Sequence, residues 1–349
     1  MIETLLADLE SRIDPAGEKK LLDEWIDFLE GGFSGYVFRP MRNHIAPPRV
    51  DWPTVTVNQA LEDQEAMAIQ QFGPVSAALE AGNGAILNIR SNYGTSTLPS
   101  LFGVEPYIMD ETLNTLPTSL PMPGGIDGVK AALDKGIPDV HSVLGGKTLE
   151  MNRRFIEMMQ PYPKVSEFVH IYHPDAQGPI DICEVLCGSE MFYYLYDYPD
   201  LMKQFLEMIT ETYVIFMREW EKIVAPKLDG YAAHWGMLHK GRITLRDDSL
   251  MNLSEEMYIE FVRPFDQRLF DEFGGGMVHY CGRGDHFARA MSEMQRLYSV
   301  NVAQPHLNDM EQVFKHTVDK GISVLGFTSQ WVREHRKSLR DLRGLVQVV

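Results

Sequence analysis

Short β-branched runs bounded by Gly, Pro or polar residues recur along this chain with amphipathic helical stretches between them. That alternation restricts it to an α/β architecture in which a parallel sheet is connected by crossover helices. The runs fall at Ala85–Ser91, Glu167–His173, Gly230–Trp235, Met277–Cys281, Val300–Gln304 and Ile322–Phe327. Helical period is clear in Asp200–Val224, where Leu201, Phe205, Met208, Thr212, Ile215 and Phe216 share a face. Another helix is expected from Ser254, an N-cap residue followed by Glu255 and Glu256 that complement the helix dipole, to the stop at Gly274–Gly276. Helices at Glu18–Glu30 and Val57–Ala81, with a Pro-studded segment between them, precede the first run. No GxGxxG follows that run, which disfavours an open doubly wound sheet. The run count suits a (β/α)8 TIM-type barrel at 81–349 with an N-terminal helical extension at 1–80.

No repeat, low-complexity tract or linker divides the 349 residues, so one continuous domain is the expectation. The formal charge of −17 argues against nucleic acid and against an anionic membrane surface, because both recruit clustered Lys and Arg. No apolar run approaches the ~20 residues a membrane span needs. The first residues, MIETLLADLESRIDPAGEKK, do not form a secretory signal. Three cysteines, Cys183, Cys187 and Cys281, fit a reducing compartment, and a cytoplasmic protein is expected.

Barrels carry their chemistry at the C-terminal ends of the strands, and here those positions are polar. The first run ends in Arg90, Ser91, Asn92 and Tyr93, the second in His170, Tyr172, His173 and Asp175, the third in His234 and Trp235. Later runs supply His279 and Cys281, then Gln304 and His306. Residues i and i+2 of a strand face the same way, so His279 and Cys281 could bind one zinc ion through nitrogen and sulfur. A catalytic zinc needs a third protein ligand, and Cys183 and Cys187 are the other thiols. The competing reading makes Cys281 a small core residue and His279 a hydrogen-bonded one. Arg246-Asp247-Asp248-Ser249 is expected on a loop between the His234 run and the Ser254 helix. Adjacent carboxylates point apart, so one of Asp247 and Asp248 should face the pocket as base or electrostatic anchor. Arg90, Arg39 and Arg42 could clamp an anionic group of a substrate.

Gln177-Gly178-Pro179-Ile180-Asp181-Ile182, Leu186-Cys187-Gly188-Ser189-Glu190 and Tyr198-Pro199-Asp200 resemble a stretch of the uroporphyrinogen decarboxylase superfamily. Arg246-Asp247-Asp248, Ser254–Tyr258, Pro264-Phe265 and His279–Gly282 follow in the order its C-terminal half implies, so the resemblance covers about residues 80 to 330. It implies a distorted TIM barrel and one of two chemistries. One is cofactor-free decarboxylation of porphyrinogen acetate groups. The other is zinc-assisted methyl transfer between a corrinoid protein and a thiol or methyl donor. The chain departs from the first chemistry. Phe38-Arg39-Pro40-Met41-Arg42 stands where decarboxylases carry an Arg-rich segment, and Ile86–Arg90 lacks their catalytic Asp.

The second chemistry uses an H-x-C pair, matched by His279 and Cys281, and a distant C-terminal cysteine that this chain lacks. Cys183, Cys187, Glu184, His234 and His306 are the candidates to complete the set. The expectation is therefore an enzyme that moves a methyl group between a small donor and a corrinoid protein or thiol, with zinc as Lewis acid. Asp248, Asp247, His234 and His173 are the catalytic candidates, and Arg90, Asn92, Tyr93, Trp235, Gln304 and His306 the substrate-binding ones. The relatives imply a homodimer. The alternatives are a metal-free decarboxylase or lyase for a small carboxylate anchored by Arg90, and a ligand-binding barrel without turnover.

Overall fold

Local capping rules divide the N-terminal region into more pieces than hydrophobic periodicity suggests. In the computed structural model, which describes residues 1–335 and 340–349, a helix at Ile2–Arg12 precedes one at Pro15–Leu29, whose N-cap Asp14 accepts from Ala16 N. The helix expected over Val57–Ala81 is two helices, Val57–Glu62 and Gln64–Ala81. Asp63 lies between them in extended conformation, and its carboxylate accepts from Ala66 N at 2.7 Å, so one residue ends the first helix and caps the second. Arg12 ties this region together. Its buried guanidinium donates to Asp8, to Ser76 Oγ and O, and to Ala46 O.

The strands are β1 Asn88–Ile89, β2 Pro106–Tyr107, β3 Thr118–Ser119, β4 His170–Ile171, β5 Tyr231–His234, β6 Met237–Lys240, β7 Ile243–Arg246, β8 Gly276–Tyr280, β9 Leu297–Val302, β10 Ser323–Phe327 and β11 Val346–Val348. Five form a parallel sheet in the order β11-β10-β9-β8-β7, and β1 and β4 form a separate parallel pair. β2 with β3, and β5 with β6, are antiparallel ribbons. This is a mixed α/β fold with a parallel sheet, as the alternation requires. β7, β8 and β11 are buried along their whole length, which is the pattern of sheets covered on both faces.

The run at Gly230–Trp235 departs from expectation. It is not a parallel strand with its own crossover; it is the first arm of a hairpin, His234 pairing with Met237 across the two-residue turn Trp235-Gly236. Both turn residues have positive φ, 49° and 78°, the combination of a type I′ turn, whose twist suits a hairpin. Gly accepts that geometry freely, but a buttressed Trp does so under strain. The hairpin packs against β8 and β9, with Met237, Leu238, Met277 and Leu325 in one apolar cluster. The strand the sequence conceals is β7, Ile243–Arg246, whose last residue opens the charged run Arg246-Asp247-Asp248 that reads as loop.

The C-terminal helices cover the sheet. Pro199–Ile223 buries Phe205, Ile209, Tyr213 and Phe216. The helix expected from Ser254 begins there, Ser254 Oγ accepting from Met257 N, but breaks at Val262 before Pro264 and resumes as Arg263–Phe273, with Gly274 left-handed at its end.

Candidate functional site

β7 and β8 run side by side in parallel, with Arg246 opposite His279, and the chemistry collects where they end. Past β7 the chain turns into a short 3-10 helix, Asp248–Asn252, whose first two backbone N–H groups are held by the buried carboxylate of Asp181, at 2.7 Å from Asp248 and 2.9 Å from Ser249. That clamp turns the Asp248 side chain toward β8. Its Oδ1 accepts from Cys281 N at 2.9 Å and lies 3.4 Å from His279 Nε2, and Cys281 Sγ lies 3.6 Å from the same nitrogen. One donor atom each from Asp248, His279 and Cys281 thus falls within 4.8 Å of the others.

The imidazole is oriented from behind. Asn301 donates its amide N–H to Leu325 O at 2.7 Å, so its Oδ1 faces His279 Nδ1 at 2.6 Å and the ring nitrogen there must carry the proton. Nε2 is then the lone-pair nitrogen, aimed at Asp248 and Cys281, the arrangement by which an outer carbonyl fixes a metal-binding histidine. Burial tends to raise the Asp248 pKa, but the contacts with His279 and Cys281, the Cys281 N–H among them, outweigh it and hold the carboxyl below its ordinary value. Burial, followed by the Asp248 charge, pushes the Cys281 thiol up to about 12. Nitrogen, sulfur and oxygen donors spaced at 3.4 and 3.6 Å suit the edges of a tetrahedron with bonds of about 2.0–2.3 Å, so these residues fit zinc and leave a fourth position open.

The side chain that stands beside His279 and Cys281 as a possible third donor is Asp248, not one of the other cysteines. Cys183 and Cys187 lie on the Pro179–Cys187 helix, packed in the main apolar cluster, and neither they nor Glu184 join the group. Asp247 points away, as adjacency requires. Its Oδ1 lies so close to Gly178 that a Cβ there would meet it at 1.8 Å. Asp247 is fully buried with both oxygens unpartnered, as are those of Asp266, and burial followed by their mutual charge raises the pKa of Asp247 far above the ordinary range.

Trp235 joins this group to a second one. The Arg246 guanidinium lies over its indole at 4.7 Å, and the ring meets His279 edge-on at 4.8 Å and His234 at 4.5 Å. Arg246 also pairs with buried Asp175, which Arg90 approaches at 3.4 Å and Gln177 contacts at 2.7 Å. His173 is 4.8 Å from His234, but both its nitrogens are committed: Nε2 accepts from Thr244 N at 2.9 Å, so Nδ1 donates to Pro174 O at 2.8 Å. Burial, outweighing that bond, holds the His173 pKa at about 3, and His173 is a neutral brace without a free nitrogen for proton transfer. His234 is fully buried with neither nitrogen partnered, and desolvation lowers its pKa well below the usual value.

The other expected residues separate. Gln304 accepts from Gly282 N at 2.7 Å and so holds the turn after Cys281, helped by Asn308, which donates to Gly282 O and Gln304 O. His306 is exposed on the following turn. Tyr93 is 1% exposed in the N-terminal apolar cluster under Lys147, and Asn92 is half-buried beside it, its N–H on Met67 Sδ. A cavity of about 330 Å³ has Trp235, Gly236, Met237, Met41, Asn83 and Arg39 in its walls and so lies on the hairpin-turn side of the indole, with Asp248, His279, Cys281 and Arg246 outside its lining. Asp181, Asn301, Asn308 and the Asp175 ion pair escaped notice in the sequence. A polar residue inside the apolar alternation Val300-Asn301-Val302 was the available signal for Asn301.

No helix among the described residues is long and apolar enough to cross a membrane. No protein-family model matches the chain, and no curated protein matches its sequence. Its structure, however, is similar to that of a methyltransferase from Methanosarcina mazei, with a TM-score of 0.63 at 13% identity over 94% of this chain and 92% of that one. At that identity the likeness is one of fold alone, and the α/β fold is what the two chains share.

Proposed function

We propose that this chain is a zinc-assisted methyltransferase of the uroporphyrinogen decarboxylase superfamily, moving a methyl group between a small donor and a corrinoid protein or thiol. The observation that carries the reading is the Asp248–His279–Cys281 group, with Asn301 aiming the imidazole, in a fold shared with a methyltransferase. Zinc held there would supply Lewis-acid stabilisation of the negative charge on the heteroatom that gives up or receives the methyl group. Asn301 fixes the Nε2 lone pair of His279, Asp181 fixes the backbone of Asp248, and Gln304 and Asn308 fix the turn that carries Cys281. These supports keep the three donor atoms in place without the ion and so reduce the ordering cost of binding it. Trp235 closes one side of the centre against water.

The same reading makes the two groups of parallel strands arcs of one distorted (β/α)8 barrel. In support, the Phe38–Gln347 parallel bridge extends the five-stranded sheet past β11, Gly178 N donates to Arg246 O, and His173 just past β4 reaches Thr244 of β7. The test is to supply the zinc-loaded protein with reduced free cobalamin and a panel of methoxylated compounds, methylamines and methyl thioethers, and to follow methylation of the cobalamin by absorbance and mass spectrometry. Turnover that disappears in Asp248→Ala and Cys281→Ala supports the reading. A protein that loads zinc yet methylates nothing in either direction overturns it.

A further inference from the structure

We propose that the Nε/Nη2 edge of Arg246 is a carboxylate receptor, so that the substrate of this centre is a small molecule with a carboxylate a few bonds from its reacting atom. The proposal deepens the functional reading above and rests on it for the identity of the pocket, but the receptor itself needs no metal and no transfer step.

The guanidinium of Arg246 is held on two sides. Asp175 pairs with Nη1, and the Trp235 indole lies against its face at 4.7 Å. What is left is the edge carrying Nε and Nη2, and both nitrogens are buried without a hydrogen-bond partner. Those two N–H groups are parallel, the fork that accepts the two oxygens of a carboxylate side by side. A buried donor without an acceptor costs on the order of 1–3 kcal/mol, and more on a cation, so evolution of a sealed, stacked guanidinium with one bare edge calls for an occupant of opposite charge.

The charge balance agrees. Asp175 is the carboxylate shared by two buried guanidiniums, Arg246 and, at 3.4 Å, Arg90, whose Nη1 also lacks a hydrogen-bond acceptor. His173 and His234 beside them are neutral at physiological pH, because desolvation disfavours their charged forms. The pair of cations therefore faces one anion and has room for a second. Asp247, the next residue in the chain, does not fill that place, since its carboxylate turns to Gly178.

Position sets the size of the ligand. Arg246 and His279 are register partners on adjacent strands, about 4.8 Å apart along the sheet, and the indole of Trp235 touches both side chains. A carboxylate on Arg246 thus places the rest of a short molecule beside the His279–Cys281–Asp248 donors. The positive φ of Trp235, imposed by the His234–Met237 pairing, is the strained element that holds this platform between the two groups.

Calorimetric titration of the full chain with sodium acetate and sodium methoxyacetate, against sodium chloride at equal ionic strength, tests this directly. Wild type should bind both carboxylates saturably. Arg246→Lys keeps a cation for Asp175 but not the two-pronged edge, and should weaken binding about tenfold or more. Arg153→Lys, at an exposed arginine paired with Glu150, should bind acetate as wild type does. Absence of saturable binding in wild type, or binding equally strong in a folded Arg246→Lys protein, overturns the proposal. Arg246-dependent acetate binding in a protein that transfers no methyl group would leave the receptor standing and remove the methyltransferase reading; methyl transfer to or from uncharged compounds, with no acetate binding, would do the reverse.

Discussion

Replacing Asp175 by Asn preserves the shape of the side chain and removes the charge that neutralises Arg246 and Arg90. Asp175 is 3% exposed, and both guanidiniums are buried beside it, so neither can turn to water when its partner is lost. Breaking a buried ion pair by removing one member costs about 3–5 kcal/mol, because an uncompensated charge stays behind. An unfolding entropy of roughly 2.1 cal/mol/K per residue over 349 residues makes each kcal/mol worth about 1.4 °C, so the thermal midpoint should fall by ~4–7 °C. The pH dependence has a definite sign. Burial opposes the Asp175 charge, but Arg246 and Arg90 outweigh it and hold the folded-state pKa below the ordinary aspartate value. Its contribution is therefore complete above the unfolded pKa and is lost only as pH falls through the lowered folded one. Urea unfolding of wild type and Asp175→Asn at neutral pH and again in acid should show a gap that narrows in acid. Adding Arg246→Met to Asp175→Asn should recover part of the loss, since the pair acts as a unit. A loss below about 1 kcal/mol at neutral pH would refute the claim that this is a sealed ion-pair centre.

Asp266→Asn should act in the opposite pH sense: burial, then the Asp181 charge, raise the Asp266 pKa, so its folded form keeps a proton that the unfolded chain releases above about pH 4. Wild-type stability should decline as pH rises from about 5 to 8, the decline should be smaller in Asp266→Asn, and identical slopes would count against a protonated buried acid. Asp63→Ala should cost about 1 kcal/mol in urea unfolding by removing the cap on Ala66 N, and no loss would show that the break at Asp63 is set by packing. Asn301→Leu, which frees His279 Nδ1, should leave the fold intact but weaken zinc affinity by about 10–100-fold in a chelator competition; unchanged affinity would remove Asn301 from the site.

The sequence showed most where one residue pattern had one structural solution. The alternation of β-branched runs and helical faces placed the buried strands β8, β9 and β10, and the i, i+2 spacing placed His279 and Cys281 on one face, with Sγ and Nε2 3.6 Å apart. Adjacency correctly separated Asp247 from Asp248. It failed where the outcome depends on tertiary pairing. β7 ends at Arg246 and runs into Asp247-Asp248, which reads as loop because the partners that hold it, Asp175 on Arg246 and Asp181 on Asp248 N, come from elsewhere in the chain. The Tyr231–His234 segment has the composition of a barrel strand, and the Trp235-Gly236 turn makes it a hairpin, because a Trp at positive φ is not a turn signal that local chemistry predicts. Spacing and resemblance point to Cys183, Cys187, Glu184, His234 and His306 as completing the set, whereas the carboxylate of Asp248, two residues past the end of β7, stands next to the pair.

The central claim is that Asp248, His279 and Cys281 hold zinc. Elemental analysis of the chain, purified without chelators and without affinity-tag nickel, tests it directly: the account predicts stoichiometric zinc in wild type and its loss from folded Cys281→Ser and His279→Ala proteins. Wild-type protein that contains no zinc and takes up none from solution, or variants that keep it in full, would contradict the account.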